Sequence, residues 1–375
     1  MTLPEYFQQL EKQLEAQLPF VAYRHPNSDE FQCQLQQKAT LEYLENFQQE
    51  GFVFAPFDNQ KRTIFFNRKD AVFSKLKCTA EDLVIEEETN TTKEFENSLQ
   101  QKAFHENIVA KGIETIENSA LEKVVLSRKQ VLVVKTAPIE YFKRLLKTYP
   151  AAFVYCWYHP QVGLWLAATP ETLVKTQNNR FKTMALAGTQ VFKETAEIAW
   201  GEKEKEEQAI VTRTIENALK SIKGIENLQI SEVQTHRAGN VVHLKTDITG
   251  VFQKDSLEEI VTNLHPTPAV CGLPKEMAKT FILKEEHYDR AFYSGYVGEL
   301  NIQVEKPRNP RKRNVENSAF NLIERQSNLY VNLRCMQLLE NKALLYIGGG
   351  ITKDSNPTAE WEETLRKAET MQNVL

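Results

Sequence analysis

Two pairs of glutamates stand at helical spacing far apart in the chain: Glu204 and Glu207 in "GEKEKEEQ", and Glu360 and Glu363 in "TAEWEET". A separation of three residues puts each pair on one helix face. If the two helices met, four carboxylates would repel one another unless a cation lay between them, and an all-oxygen donor set suits magnesium. Spacing alone leaves open the commoner reading, in which such glutamates are solvated surface. Lys123 opens "KVVLSR", where strand alternation places it with Val125 and Ser127, opposite Val124 and Leu126. A lysine there is either a snorkelling side chain at a sheet edge or a desolvated amine able to act as a base. Bringing its pKa from about 10.4 to about 7 would require roughly 4 to 5 kcal/mol of environmental bias. Glu171 follows Pro170 in "AATPETLV", among apolar neighbours that favour a protonated carboxyl; an edge glutamate is the alternative. His243 in "VVHLKT" reads first as a packed histidine. The glycines of "YIGGGI" (346–351) and "LAGT" (186–189) either let an anion approach the bare backbone or form a tight turn, bulge or close-packing point. The phosphate-loop pattern of spaced glycines followed by Lys and Ser or Thr is absent.

The elements that would have to position these groups are read from periodicity. An amphipathic helix opens the chain, and short strands come next at "GFVFAPF" and "RTIFFN", ahead of the acidic "IEEETNTT". A helical pattern runs from about Phe95 to Ser119, and "LEKVVLSRKQVLVV" is one long strand or a strand pair. "PIEYFKRLLKTYP" is a helix with Pro138 at its start and Ile139, Phe142, Leu145 and Leu146 as its buried stripe. A meander comes after it in "AAFVYCWY", "GLWLAA", "ETLVKT" and "RFKTMALAG", separated by turn-forming clusters. After the charged helix come a strand in "GNVVHLKTDITGVF", the helix "SLEEIVTNLHP" and two helical stretches flanking "PTPAVCGLP". Strands are then expected at "FYSGYVGEL", "NLYVNLRCMQLL" and "ALLYIGGGI", with a last helix from about Thr358 to Gln372. Strands and helices come in runs and not in βαβ alternation, so the expected class is α+β with large antiparallel sheets packed in layers with helices.

At 375 residues with no linker-like segment, one large domain (1–375) is expected, its first hundred residues forming part of the same sheet core. Hydrophobic residues make up 41% and charged residues 26%, which describes a chain with ample core. Forty-six basic against fifty acidic residues give a net charge of -4, which offers no general pull toward nucleic acid or an anionic membrane. The basic "EKPRNPRKRN" (305–314) is a weak phosphate or nucleic-acid signal and reads as a mobile surface loop. Five scattered cysteines without a CxxC pair read as reduced, buried thiols. No basic and apolar leader and no bilayer-length apolar run is present, so a cytoplasmic location and small-molecule chemistry are the expectations.

Taken in order, "EKVVLSR", "AATPETLV", "LAGT", "EKEKEEQ", "VVHLKT", "HPTPAVCGLPKE", "YDRAFYSGYVGEL", "NLRC", "YIGGGI" and "AEWEETLRKAE" resemble the chorismate-utilising enzyme family over residues 123–375. The resemblance implies an anthranilate synthase component I-like fold, magnesium as cofactor and chorismate as substrate. Within the family the chain is most similar to isochorismate synthases. Ala187 stands where aminodeoxychorismate synthases carry a nucleophilic lysine, Lys123 is a base that anthranilate synthases lack, and Ala269 stands where salicylate and anthranilate synthases carry threonine. The implied reaction is therefore reversible isomerisation of chorismate to isochorismate without pyruvate loss; a salicylate synthase and a non-catalytic binding scaffold are the alternatives.

Carried over by resemblance, Lys123 is the general base that activates water for attack at C2, and Glu171 the general acid that protonates the departing C4 hydroxyl. Glu207 and Glu363 match the magnesium ligands, with Glu204 and Glu360 in support. Tyr293 and Arg334 match residues that hold the pyruvyl carboxylate, and Gly188, Thr189, His243, Ala269, Gly348, Gly350 and Lys367 complete the substrate shell. The resemblance also implies no glutaminase partner, a monomer, and a product that feeds menaquinone or siderophore synthesis. Cys271 and Gln208 depart from the family's usual serine and histidine, and the basic stretch is an insertion with no inherited role.

Overall fold

The computed structural model describes residues 1–85, 98–191, 198–238, 241–306 and 322–375. Most of the acidic run after Ile85, the start of the Phe95 helix and the basic stretch from residue 307 onward lie outside the described residues, as does the Thr189 side chain.

Runs of β-branched and aromatic residues assemble two antiparallel sheets. One contains β1 (Phe20–Arg24), β2 (Glu30–Gln36), β5 (Ala71–Lys77), β6 (Lys123–Val133), β7 (Phe153–His159), β8 (Gly163–Thr169), β14 (Gly272–Leu273), β17 (Cys335–Leu339) and β18 (Lys342–Ile351). Its strand order is β14-β6-β18-β17-β8-β7-β1-β2-β5. The other contains β3 (Gly51–Ala55), β4 (Ile64–Asn67), β9 (Thr172–Gln177), β10 (Arg180–Val191), β11 (Ile225–Ile230), β12 (Gln234–Ala238), β13 (Val241–Phe252), β15 (Tyr296–Lys306) and β16 (Leu322–Val331). It runs β11-β13-β10-β9-β16-β15-β3-β4, with β12 paired to β13. Residues up to Lys77 thus supply strands to both sheets.

The inner faces meet over an aromatic core that includes Tyr23, Phe54, Trp157, Trp165, Phe153 and Tyr330, the last two stacked with centroids 4.0 Å apart. This is the expected burial of alternating apolar positions against a second layer. Helices cover both outer faces. α1 (Leu3–Glu15), started by a Thr2–Glu5 capping box, packs with α3 (Pro138–Thr148) and part of α7 (Pro357–Gln372) on the first sheet. The α3 stripe of Ile139, Phe142, Leu145 and Leu146 is fully buried there. On the second sheet lie α4 (Glu202–Lys220) and α5 (Leu257–Leu264), through Val211, Ile215, Leu219, Ile260 and Val261. α2 (Ser98–Asn118) and α6 (Lys275–Glu285) share a smaller cluster with Val124 and Leu126. All five cysteines are buried and reduced.

Three sequence expectations are corrected. "NLYVNLRCMQLL" is not one strand: β16 ends at Val331 in the second sheet and β17 begins at Cys335 in the first. The break is made by Arg334, whose φ of 47° leaves the extended region. "FYSG" precedes its strand, because Tyr293 N and Gly295 N close turns onto Arg290 O and Phe292 O. The glycines of "YIGGGI" form neither a turn nor a bulge; Gly348, Gly349 and Gly350 stay in register opposite Ser127, Leu126 and Val125 of β6.

Two of the points at which the chain passes from one sheet to the other hold candidate site residues. The passage from β8 to β9 carries Pro170 and Glu171, and the passage from β16 to β17 carries Arg334.

Candidate active site

A cavity of about 220 Å³ lies where these two crossings meet β6, β10, β13 and β18 and helices α4 and α7. Lys123, Glu171, Gly188, Glu204, Glu207, His243, Ala269, Tyr293, Arg334, Gly348, Gly350, Glu360, Glu363 and Lys367 all line it. The backbone of Thr189 lies in β10, beside Gly188.

Lys123 is 5% exposed at the start of β6, next to the edge strand β14. It does not snorkel to solvent: its Nζ lies 2.6 Å from Glu207 Oε1, while Val124 and Leu126 point into the apolar cluster on the other face. Burial pushes the Glu207 carboxyl up, but the Lys123 ammonium and, further off, Lys367 outweigh it and hold Glu207 below the usual carboxylate range. Glu363 acts on Glu207 in the opposite sense, which places the two acids within electrostatic reach of each other. Glu363 in turn pairs with Lys367 at 2.6 Å, and Lys367 also donates to Gly348 O. Glu360 accepts from Ser355 Oγ at 2.8 Å. The two helices do bring four carboxylates to one cavity. Among the described residues, no three His, Cys, Asp or Glu side chains lie close enough to grip an ion; lysines hold Glu207 and Glu363.

Glu171 is 4% exposed, and burial lifts its carboxyl to about 7, against smaller opposing effects of a Thr267 hydrogen bond and the Lys123 charge. The expected protonated carboxyl is thus poised between its two states near neutrality. Across the cavity floor, burial and the nearby Arg334 charge push the His243 imidazole down to about 4, so the ring is neutral at pH 7. Its Nδ1 is 3.1 Å from Gly188 O, and because a carbonyl only accepts, Nδ1 carries the proton. Gly188 sits at a bulge with φ of 65°, and a β-carbon there would lie 3.2 Å from Glu204 Cβ. The "LAGT" segment is therefore both a close-packing point and a cavity wall.

Arg334 donates from Nη1 to Thr370 Oγ1 of α7 at 2.6 Å. Tyr293 stacks on Tyr346, centroids 5.6 Å apart, and burial raises its hydroxyl to about 12, so it stays a hydrogen-bond donor. Gln208, where the family usually has histidine, turns away from the cavity. Its Nε2 donates to Ala185 O and Thr246 Oγ1, fastening α4 to β10 and β13 one residue after Glu207. Cys271 is buried in the α2–α6 cluster and its thiol is pushed up to about 12, so it is an inert packing group.

Sequence reasoning did not single out Thr267, Thr370, or the buried pair Glu286 and Arg290. Glu286 accepts from Ser127 N and Oγ and from Arg290 Nε, and Arg290 donates to Val125 O and Val270 O. This clamp ties β6 to the turn that carries Ala269. The four-residue spacing in "EEHYDR" was the available signal; nothing local pointed to the strand that it grips.

Such a cavity can bind a carboxylate-bearing ring, with Arg334, Lys367 and the Tyr293 hydroxyl as anion partners and one amine and one buried carboxyl for proton transfer. A family profile described as a chorismate binding enzyme matches residues 59–305, and a second of the same description matches 309–373. Isochorismate synthase EntC of Escherichia coli K12 is 28% identical over 291 residues, which is 74% of this chain and 68% of that protein. The menaquinone-specific isochorismate synthase MenF of Escherichia coli superposes with a TM-score of 0.73 at 20% identity, covering 95% of this chain and 88% of the other. Anthranilate synthase component I of Streptococcus pneumoniae superposes with a TM-score of 0.65 at 18% identity, covering 94% and 92%. At those identities the structural likeness establishes a shared fold. No helix among the described residues is long and apolar enough to cross a membrane.

Proposed function

We propose that this chain, which belongs to the chorismate binding enzyme family, catalyses the reversible, magnesium-dependent isomerisation of chorismate to isochorismate. The observation that carries the reading is that one small cavity holds a buried amine, Lys123, and a buried carboxyl poised near neutrality, Glu171, each supplied by a different sheet or crossing. In this reading, Arg334 and Tyr293 hold the pyruvyl carboxylate, and Lys367 and the neutral His243 complete the substrate shell. Lys123 takes a proton from water as its oxygen bonds to C2. The ring double bonds shift, the C4–O bond breaks, and the leaving hydroxyl takes the proton from Glu171. One water enters and one leaves, so no redox cofactor is needed, and with water as nucleophile no glutaminase partner is required.

Glu204, Glu207, Glu360 and Glu363 all line the cavity, and an all-oxygen donor set is the chemistry that a hard divalent cation takes. Glu207 and Glu363, once released from their lysines, would hold magnesium with the other two in support. Bound there, the ion would neutralise the ring carboxylate and draw Glu207 away from its ion pair with Lys123. The small Ala269 side chain on the cavity wall supports release of isochorismate over pyruvate elimination, following the family pattern.

Incubation of the chain with chorismate, with and without a chelator, tests this directly. Isochorismate should form only with magnesium present. Salicylate plus pyruvate would replace the reading with a salicylate synthase, and no turnover with saturable chorismate binding would replace it with a binding scaffold.

A further inference from the structure

The segment between α5 and α6 contributes Ala269 to the cavity but places a second group behind it. Thr267 is buried and does not line the cavity, yet its Oγ1 donates to Glu171 Oε1 at 3.2 Å. We propose that Thr267 is a positioning residue for the acid: its hydroxyl fixes Oε1 from behind the wall and leaves Oε2 as the oxygen that carries the transferable proton. This rests on the proposed isomerase reading, in which Glu171 is the proton donor.

The geometry is rigid at both ends. Thr267 O accepts from Val270 N and Cys271 N, so the segment closes on itself directly after the hydroxyl. Val270 O accepts from Arg290 Nη1 at 3.0 Å, and the same guanidinium reaches Val125 O on β6 at 2.7 Å. Lys275 Nζ donates to His265 O at 2.8 Å. The hydroxyl is thereby held in the frame of the strand that carries Lys123. On the acid's side, Glu171 N lies 3.3 Å from Thr169 Oγ1, whose hydroxyl donates to Val331 O, so the backbone of the crossing is fixed as well. Among the described residues no hydrogen bond reaches Glu171 Oε2. An oxygen that already accepts from a hydroxyl is a poor place for the carboxyl proton, because two hydrogens would compete for one contact. The proton is directed to the other oxygen.

The sign of the effect is defined. A donor to the ionised carboxylate favours the charged form, so Thr267 opposes the upward push of burial; of the charged groups, Lys123 on β6 acts in the same direction as Thr267. Removing the hydroxyl should lift the Glu171 midpoint and loosen the carboxyl. Thr267→Val preserves shape and removes the donor, and Thr267→Ser restores the donor.

The test uses the full chain with glutamate labelled by 13C at the side-chain carboxyl, the Glu171 signal being assigned by its loss in E171Q. The NMR midpoint of Glu171 and the pH profile of kcat/KM for chorismate are measured together. T267V should move the midpoint upward from about 7 by roughly one pH unit. The alkaline limb of the profile should move with it and the plateau kcat should fall several-fold, while T267S should keep the wild-type midpoint. An unmoved midpoint in T267V, or a T267S midpoint displaced as far as that of T267V, overturns the proposal, as does a uniform fall in rate without displacement of the limb. A wild-type chain that does not turn over chorismate, with the T267V midpoint still displaced, instead overturns the reaction and leaves the contact standing.

Discussion

A β-carbon built at Gly348 would lie 2.6 Å from the Tyr293 hydroxyl oxygen, and one at Gly350 would lie 3.0 Å from Lys123 Cε. These glycines serve clearance: they leave room on β18 for a phenol and an ammonium that approach from the cavity side. Tyr293 is held by its stack on Tyr346 and cannot swing aside freely. Gly348→Ala should therefore displace the Tyr293 hydroxyl by an appreciable fraction of an ångström and lower kcat/KM for chorismate by about a hundredfold. Steady-state kinetics on a variant with unchanged far-UV circular dichroism would show it, and full retained turnover would remove Tyr293 from the substrate shell. At this scale the side of the strand on which Lys123 lies was legible, because strand alternation has a period of two and needs no knowledge of partners. The Thr267 contact was not legible, since its acceptor lies on another element and the loop between α5 and α6 has no periodicity to read. The four glutamates proposed to hold magnesium fall between these cases. Spacing gave their shared face on each helix, but only the fold shows both helices at one cavity, with lysines on the two inner acids.

Among the elements, α7 supplies the cavity with Glu360, Glu363, Lys367 and Met371, a single stripe along one helix that its own periodicity makes contiguous. β6 and β18 form the floor, and their placement against the Ala269 turn depends on the buried Glu286–Arg290 pair. Both side chains are almost fully buried, so truncating one partner leaves a charge without solvent or counter-ion. Arg290→Met should cost about 3 to 5 kcal/mol of stability by chemical denaturation. Adding Glu286→Leu should recover part of that loss; a double variant no more stable than the single one would argue against the charge as the cause. Sequence periodicity located α7 and α3 well because each has one apolar face, whereas the meander, whose β7 and β8 are buried on both faces, was marked by the turn-forming clusters between its apolar runs. Periodicity failed at "NLYVNLRCMQLL", where both halves are apolar and the hand-over between sheets is made by one residue in a left-handed conformation. An apolar run of that kind has no internal mark for the point at which the chain changes sheets.

For the molecule as a whole, the class of architecture was readable from runs of strands and helices, but not the pairing that sets β1 beside β7 and β3 beside β15, far along the chain. Such pairings join residues far apart in sequence and leave no local trace. Among the polar contacts between the sheets is a buried carboxylate: Glu299 of β15 accepts from Tyr23 of β1 at 2.6 Å and from Asn328 at 3.0 Å, and lies 3.0 Å from His25 Nε2. Burial alone would push this carboxyl up; His25, with the Tyr23 and Asn328 hydrogen bonds, outweighs burial and holds it at about 2 instead of the ordinary 4.5. A folded-state value below the unfolded one means that the stabilisation is present above about 4.5 and is lost as pH falls toward 2. Glu299→Gln should therefore lower the urea midpoint at pH 7 and flatten its decline between pH 4.5 and 3. Parallel curves for both proteins would exclude Glu299 as the source of acid sensitivity. The two crossings that carry Glu171 and Arg334 have a consequence for how such a protein can change. They act as covalent stitches, so neither sheet can be exchanged for a relative's by swapping one contiguous stretch of gene. A chain severed between Thr169 and Thr172 would have to re-knit both layers from two polypeptides before its chemistry returned, which confines viable innovation to single replacements along the cavity wall.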